Sequence, residues 1–199
     1  MDQRTWDEKY LTQDRLWSGA PNGALLVEAA GLPPGQALDL GCGEGGDALW
    51  LAGRGWLVTA VDISRVALER AAAAAGEAKV SWTHGDITAS PPPAATFDLV
   101  SALYFPLPRS APGALRSLIA AVAPGGTLLV VGHDLDGAHH HHLDPEFDPD
   151  AYYRPDEVAE ALDGSWTIQV NETRPRVSPA PPGSGHVADV VLKARKATG

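Results

Sequence analysis

The stretch ALDLGCGEGGDALWLAGRGWLVTAVDIS, residues 37 to 64, restricts the possible folds more than any other part of the chain. It reads as a short apolar strand over 37–40, a glycine turn over 41–46, a helix, and a second strand ending on Asp62. Glycines let the turn take backbone angles barred to residues with a β-carbon and let a ligand lie directly on the main chain. Two parallel strands joined by a helical crossover bring Asp39 and Asp62 to the carboxyl edge of the sheet, where open α/β sheets bind ligands.

The spacing of Gly41, Gly43 and Gly46 also satisfies the dinucleotide fingerprint, a weak match when it stands alone. Asp39, two residues before the first glycine, would repel a pyrophosphate but suits an amino group, and Glu44 inside the turn adds to that bias. The expected ligand is therefore cationic. The motif DLGCGEG resembles the first motif of the class I S-adenosylmethionine (SAM) dependent methyltransferases, an acidic residue followed by GxGxG. That resemblance implies a Rossmann-like, doubly wound α/β sheet of seven strands whose last strand is antiparallel. It also implies SAM as cofactor, lying along Gly41, Cys42, Gly43 and Gly45, with Asp39 near its amino end. Asp62 and Ile63 would meet the ribose, and Asp86 and Ile87, in the GDI triplet after the third strand, the adenine.

The 199 residues suit one domain with a full hydrophobic core and no metal or disulfide staples. The single Cys42 excludes an internal disulfide and reads as a small packing residue in the turn. A charged amino-terminal stretch and the lack of any long apolar run predict a soluble, cytoplasmic protein with no membrane partner. A net charge of −10 argues against general attraction to nucleic acid and favours small-molecule substrates; oligomeric state is left open.

Within that one domain, residues 1–23 are expected to form a lid, 36–131 the cofactor core, and 132–199 the substrate-side loops and a terminal hairpin. Trp6, Tyr10, Leu11 and Trp17 fall near helical spacing over 5–17, before WSGAPN breaks the pattern. The WDxxY and WSGxPN patterns look like the amino-terminal segment of small methyltransferases of the tellurite-resistance and thiopurine type, which implies that this segment, Trp17 included, covers the cofactor. Further helices are expected over 24–30, 64–75, 112–123 and 155–162, and strands over 80–84, 97–105, 127–131, 165–174 and 186–194.

Substrate contacts should come from loops at the carboxyl ends of the strands, and His133 and Tyr104, following strands five and four, are the candidate catalytic residues. The segment LYFPLP lacks the acid or amide that base-methylating relatives place after strand four, and Tyr104 stands where the magnesium-dependent catechol type has a metal-binding Asp. Consecutive His139 to His142 match no zinc spacing and read as a polar loop, so no metal is expected. Two alternatives stay open: a non-catalytic SAM-binding or regulatory protein, and a nicotinamide-dependent oxidoreductase. The second leaves Asp39 and the GDI triplet unexplained and shows no catalytic tyrosine-lysine pair.

Overall fold

A computed structural model describes residues 2–134, 148–178 and 186–199. Its seven strands are β1 (Gln36–Leu40), β2 (Leu57–Asp62), β3 (Val80–His84), β4 (Phe97–Leu103), β5 (Val122–His133), β6 (Trp166–Pro175) and β7 (Ala188–Lys196). They form one sheet in the order β3-β2-β1-β4-β5-β7-β6. Strands β1 to β5 run parallel, and β7 is antiparallel to both of its neighbours, β5 and β6. This is the doubly wound, seven-stranded sheet with an antiparallel last strand that the sequence resemblance implies.

Among the described residues six α-helices accompany the sheet: α1 (Gln3–Leu11), α2 (Gly23–Glu28), α3 (Gly46–Gly53), α4 (Arg65–Ala74), α5 (Pro112–Ala121) and α6 (Pro155–Glu160). Alternation along the strands divides the core between two faces. Leu38, Leu40, Val100, Ala102, Leu128 and Val130 pack with Leu115 and Leu118 of α5 and Val158 of α6. Ala37, Leu99, Leu103, Leu129 and Val131 pack instead with Leu25 of α2, Leu51 of α3 and Leu68 of α4. Central strands buried on both faces explain the near-continuous apolar runs of β4 and β5.

Several boundaries differ from expectation. Helix α1 stops at Leu11, so Trp17 lies beyond it in irregular chain. Strand β5 starts five residues early, because Val122 already pairs with Phe97; the Pro124–Gly126 turn, with Gly125 at φ +77°, is absorbed as a break in register before Leu99 pairs with Thr127. Strand β7 runs two residues later at each end than expected. The histidines 139–142 and Asp144 lie outside the described residues. Among the described residues no helix is long and apolar enough to cross a membrane, and no three potential metal ligands come together.

Candidate active site

The strand order reverses between β1 and β4, which opens a crevice beyond their carboxyl ends. Asp39 of β1 pairs in register with Ser101 of β4, and the Ser101 hydroxyl donates to Asp39 Oδ1 at 2.9 Å. Asp39 Oδ2 is buried with no partner among the described residues. Burial, followed by the nearby Asp47, holds the Asp39 carboxyl well above the usual carboxylate range. A donor delivered to Oδ2 would remove a desolvation penalty of roughly 1–3 kcal/mol, and a positively charged donor would also restore the ionised form. This orphaned oxygen beside the glycine turn is what an amino-bearing cofactor fits.

Asp62, closing β2, holds the turn in place. Its Oδ2 accepts the Gly43 N–H and its Oδ1 accepts the Ser64 N–H, both at 2.8 Å. Burial raises its carboxyl pKa, and the backbone donors partly offset that. Each carboxylate oxygen retains further acceptor capacity, so these bonds do not exclude a ligand hydroxyl. Ile63 is half-buried beside it, and the Gly85 N–H donates to the Asp62 carbonyl at 3.0 Å, bringing the GDI corner to the same edge. There Asp86 Oδ1 accepts the Thr88 N–H at 2.8 Å, while Ile87 is buried in the core. Cys42 is buried, and its thiol is pushed far up by burial and then by Asp39, the environment of an inert packing group.

The amino-terminal segment packs directly on this turn. A β-carbon on Gly43, at φ +53°, would stand 2.8 Å from the Tyr10 hydroxyl oxygen and 3.5 Å from Trp17 Cδ1. One on Gly46 would stand 2.8 Å from the Ala20 carbonyl oxygen. The glycines therefore admit this segment as well as any ligand, a demand the spacing did not reveal. Three acids fasten it. Asp7 accepts from the Ser64 hydroxyl at 2.6 Å, Glu44 accepts the Trp17 N–H at 2.9 Å, and Asp47 accepts the Asn22 N–H at 2.6 Å. Glu44 also pairs with Arg70 at 3.0 Å. The charge of Glu44 is thus committed to segment and helix; the bias toward a cationic ligand comes from Asp39. Trp17 Nε1 donates to the Tyr10 hydroxyl at 3.1 Å, beside the turn.

A second cluster forms at the carboxyl ends of β4 and β5 and at the β6–β7 hairpin. Tyr104 has φ +54°, uncommon for a bulky side chain and the kind of strain that collects at functional sites. Its hydroxyl donates to Asp189 Oδ1 at 2.8 Å, and its ring stacks on His133 with centroids 4.5 Å apart. His133 stacks in turn on His186 at 3.8 Å. Arg176 lies over the Tyr104 ring at 5.0 Å and donates to Asp189 Oδ1 at 3.1 Å. Burial, then His186 and Arg176, pushes His133 down to about 3, so its imidazole is neutral at pH 7. Burial also raises the Tyr104 phenol, which stays protonated. His133 Nδ1 is buried without a partner among the described residues. Phe105, the neighbour of Tyr104, fills the space a β-carbon on Gly41 would take, so one dipeptide touches both clusters.

The sequence-predicted residues thus fall into two groups: Asp39, Gly41, Cys42, Gly43, Gly45, Asp62 and Ile63 with Trp17 and the Asp86–Ile87 corner, and Tyr104 with His133. Missing from the expectation were Ser101, Asp47 and Asp189; Tyr10 was expected only as part of the covering segment. Ser101 and Asp189 are polar residues beside the apolar runs of their strands, a signal available in the sequence but without an indication of their partners.

The sheet order and the acid-bearing glycine turn define a class I methyltransferase architecture. Residues 37–126, a little under half of the chain, match the family described as "Methyltransferase domain", and the sheet has the seven-stranded order of the class I methyltransferase fold. An uncharacterized methyltransferase of Mycobacterium tuberculosis is 39% identical over 123 residues, which cover 59% of this chain and 61% of that protein. The chain therefore aligns with about three-fifths of the length of this relative. Among solved structures, one from work on converting a disulfide bond into a thioacetal group during echinomycin biosynthesis has a TM-score of 0.75 at 23% identity, covering 98% of this chain and 92% of that one. The N-methyltransferase NodS from Bradyrhizobium japonicum, in complex with S-adenosylhomocysteine, has a TM-score of 0.70 at 19% identity, covering 98% and 99%. At these identities the solved structures speak for the fold.

Proposed function

We propose that this protein binds SAM and transfers its methyl group to a small-molecule acceptor. The observation that carries the reading is the buried Asp39 Oδ2 at the mouth of the glycine turn, without a partner among the described residues and suited to an ammonium. In this reading Asp39 and the turn from Gly41 to Gly45 hold the methionine part, Asp62 and Ile63 the ribose, and Asp86 with Ile87 the adenine. Residues 1–23 act as the lid, with Tyr10 and Trp17 excluding water above the turn. The product complex with S-adenosylhomocysteine seen for NodS supports this assignment.

When bound, SAM supplies an electrophilic methyl on a positively charged sulfur, open to in-line attack. The chain's task is then alignment and exclusion of water. Tyr104 and His133 form the wall facing the acceptor. At a pKa of about 3, His133 is a poor base: taking a proton from an ordinary thiol would be uphill by on the order of 7 kcal/mol. His133 is therefore a neutral hydrogen-bonding contact, and the acceptor arrives already nucleophilic, as a thiolate, a chalcogen anion or an unprotonated nitrogen. The acidic chain favours small acceptors over nucleic acid, and a cytoplasmic site of action fits its single buried thiol.

The test is production of S-adenosylhomocysteine from SAM across thiol, selenol, amine and hydroxyl acceptors, thiols first. Acceptor-dependent product is expected. Tight SAM binding with no turnover on any of them would replace this reading with that of a SAM-binding regulatory protein.

A further inference from the structure

Three buried side-chain polar atoms lack a partner among the described residues: Asp39 Oδ2, His133 Nδ1 and Arg176 Nε. They divide by chemistry. The orphan beside the glycine turn is an acceptor and fits the cofactor's ammonium. Arg176 Nε–H, in the second cluster, can only donate and carries charge. Its side chain is 10% exposed, so water satisfies little of it. Burying such a group without an acceptor is costly, so a ligand oxygen delivered to it would be bound favourably.

The surroundings hold Arg176 in place without using that donor. Its Nη1 is anchored on Asp189 Oδ1, and its guanidinium lies over the Tyr104 ring. Asp189 pairs in register with both His133 of β5 and Arg174 of β6, so the anchor belongs to the sheet itself. Arg174 does not compete for the site, because it pairs with Glu28 at 2.7 Å. Tyr104 and His133 remain neutral at pH 7, and the carboxylate of Asp189 is the charge that Arg176 is hydrogen-bonded to.

Resting on the methyltransferase reading, we infer that Arg176 Nε–H receives a carboxylate of the methyl acceptor, so that the acceptor is a small organic acid lying along Tyr104 and His133. Arg176 is then the residue that selects acids over their neutral analogues. It takes no part in the chemical step.

The test uses the full chain saturated with S-adenosylhomocysteine, with formate, acetate and benzoate as probes spanning three sizes and formamide, acetamide and benzamide as neutral controls. The Arg176 Nε–H nuclear magnetic resonance signal, assigned by its loss in Arg176→Lys, is followed during each titration, with calorimetry alongside. A saturable shift of that signal by at least one carboxylate and by no amide is expected. Arg176→Gln should weaken the carboxylate roughly tenfold or more, while Asp189→Asn, which removes the competing charge but keeps an anchoring oxygen, should tighten it. If no carboxylate moves the signal, or if the amides move it equally, the inference is wrong. Failure of S-adenosylhomocysteine to bind in the same samples would instead overturn the methyltransferase reading, so the two failures are distinguishable.

Discussion

The two halves of the site are built on opposite plans. On the proposed cofactor side, Asp39, the glycine turn and Asp62 lie within 24 consecutive residues, and Asp62 bonds to the backbone of that same unit. On the acceptor side, Tyr104, His133, Arg176 and Asp189 come from four separated segments and bond to one another through side chains. Among the described residues the first half presents an unmet acceptor and the second an unmet charged donor. A cofactor site formed by one local βαβ unit can persist while an acceptor site assembled across distant strands is rebuilt.

The largest effect should come from Asp62→Ala, which strips partners from the Gly43 and Ser64 N–H groups together. Denaturant unfolding should show a loss of about 3 kcal/mol, and SAM affinity should fall roughly a hundredfold. Unchanged affinity in a folded variant would remove the ribose from this position.

Asp39→Asn separates stability from binding. It keeps the Ser101 contact but deletes a buried charge, so SAM should bind roughly ten- to a hundredfold more weakly while the ligand-free protein is no less stable. The sign with pH follows from the raised carboxyl. The folded state holds its proton to higher pH than the unfolded state, so this group's contribution to stability is full below the unfolded value of 3.8 and declines as pH rises toward the folded one. Asp39→Asn should flatten that decline in ligand-free melting curves recorded from pH 4 upward. A steeper decline would contradict the burial argument.

Asp7→Ala should act on the amino-terminal segment alone. Losing the Ser64 hydroxyl and Val66 N–H contacts should cost about 1 kcal/mol and speed amide exchange over residues 3–17, with strands β1 and β4 still protected. Uniform loss of protection would mean that the segment belongs to the core. The smallest effect is expected at Arg109→Ala, whose half-exposed pair with Glu157 lies outside both clusters. Less than about 1 kcal/mol should be lost, with no change in SAM affinity.

Much of the cofactor half was legible because its determinants are local. Glycine, acid and apolar periodicity over residues 37–64 specify the turn, the strand ends and the crossover together. The sheet order followed from the resemblance, and the apolar runs of β4 and β5 matched their burial on both faces. The role of Glu44 was not legible: its partners Leu16, Trp17 and Arg70 are brought to it by folding, so a charge inside a ligand turn was indistinguishable from a charge for the ligand. Asp189 escaped for the same reason. It is one acid near the start of a strand until antiparallel pairing sets it opposite His133. Tyr104, just after β4, and His133, the last residue of β5 rather than the loop residue expected, were visible as candidates from topology, but the stacking and burial around His133 depend on the hairpin's return.

The most direct test of the central claim is calorimetric titration of the purified protein with SAM, S-adenosylhomocysteine and NAD in parallel. Micromolar binding of the first two with no heat from NAD is the predicted result. NAD binding, or silence toward all three, would contradict the cofactor assignment and the function built on it.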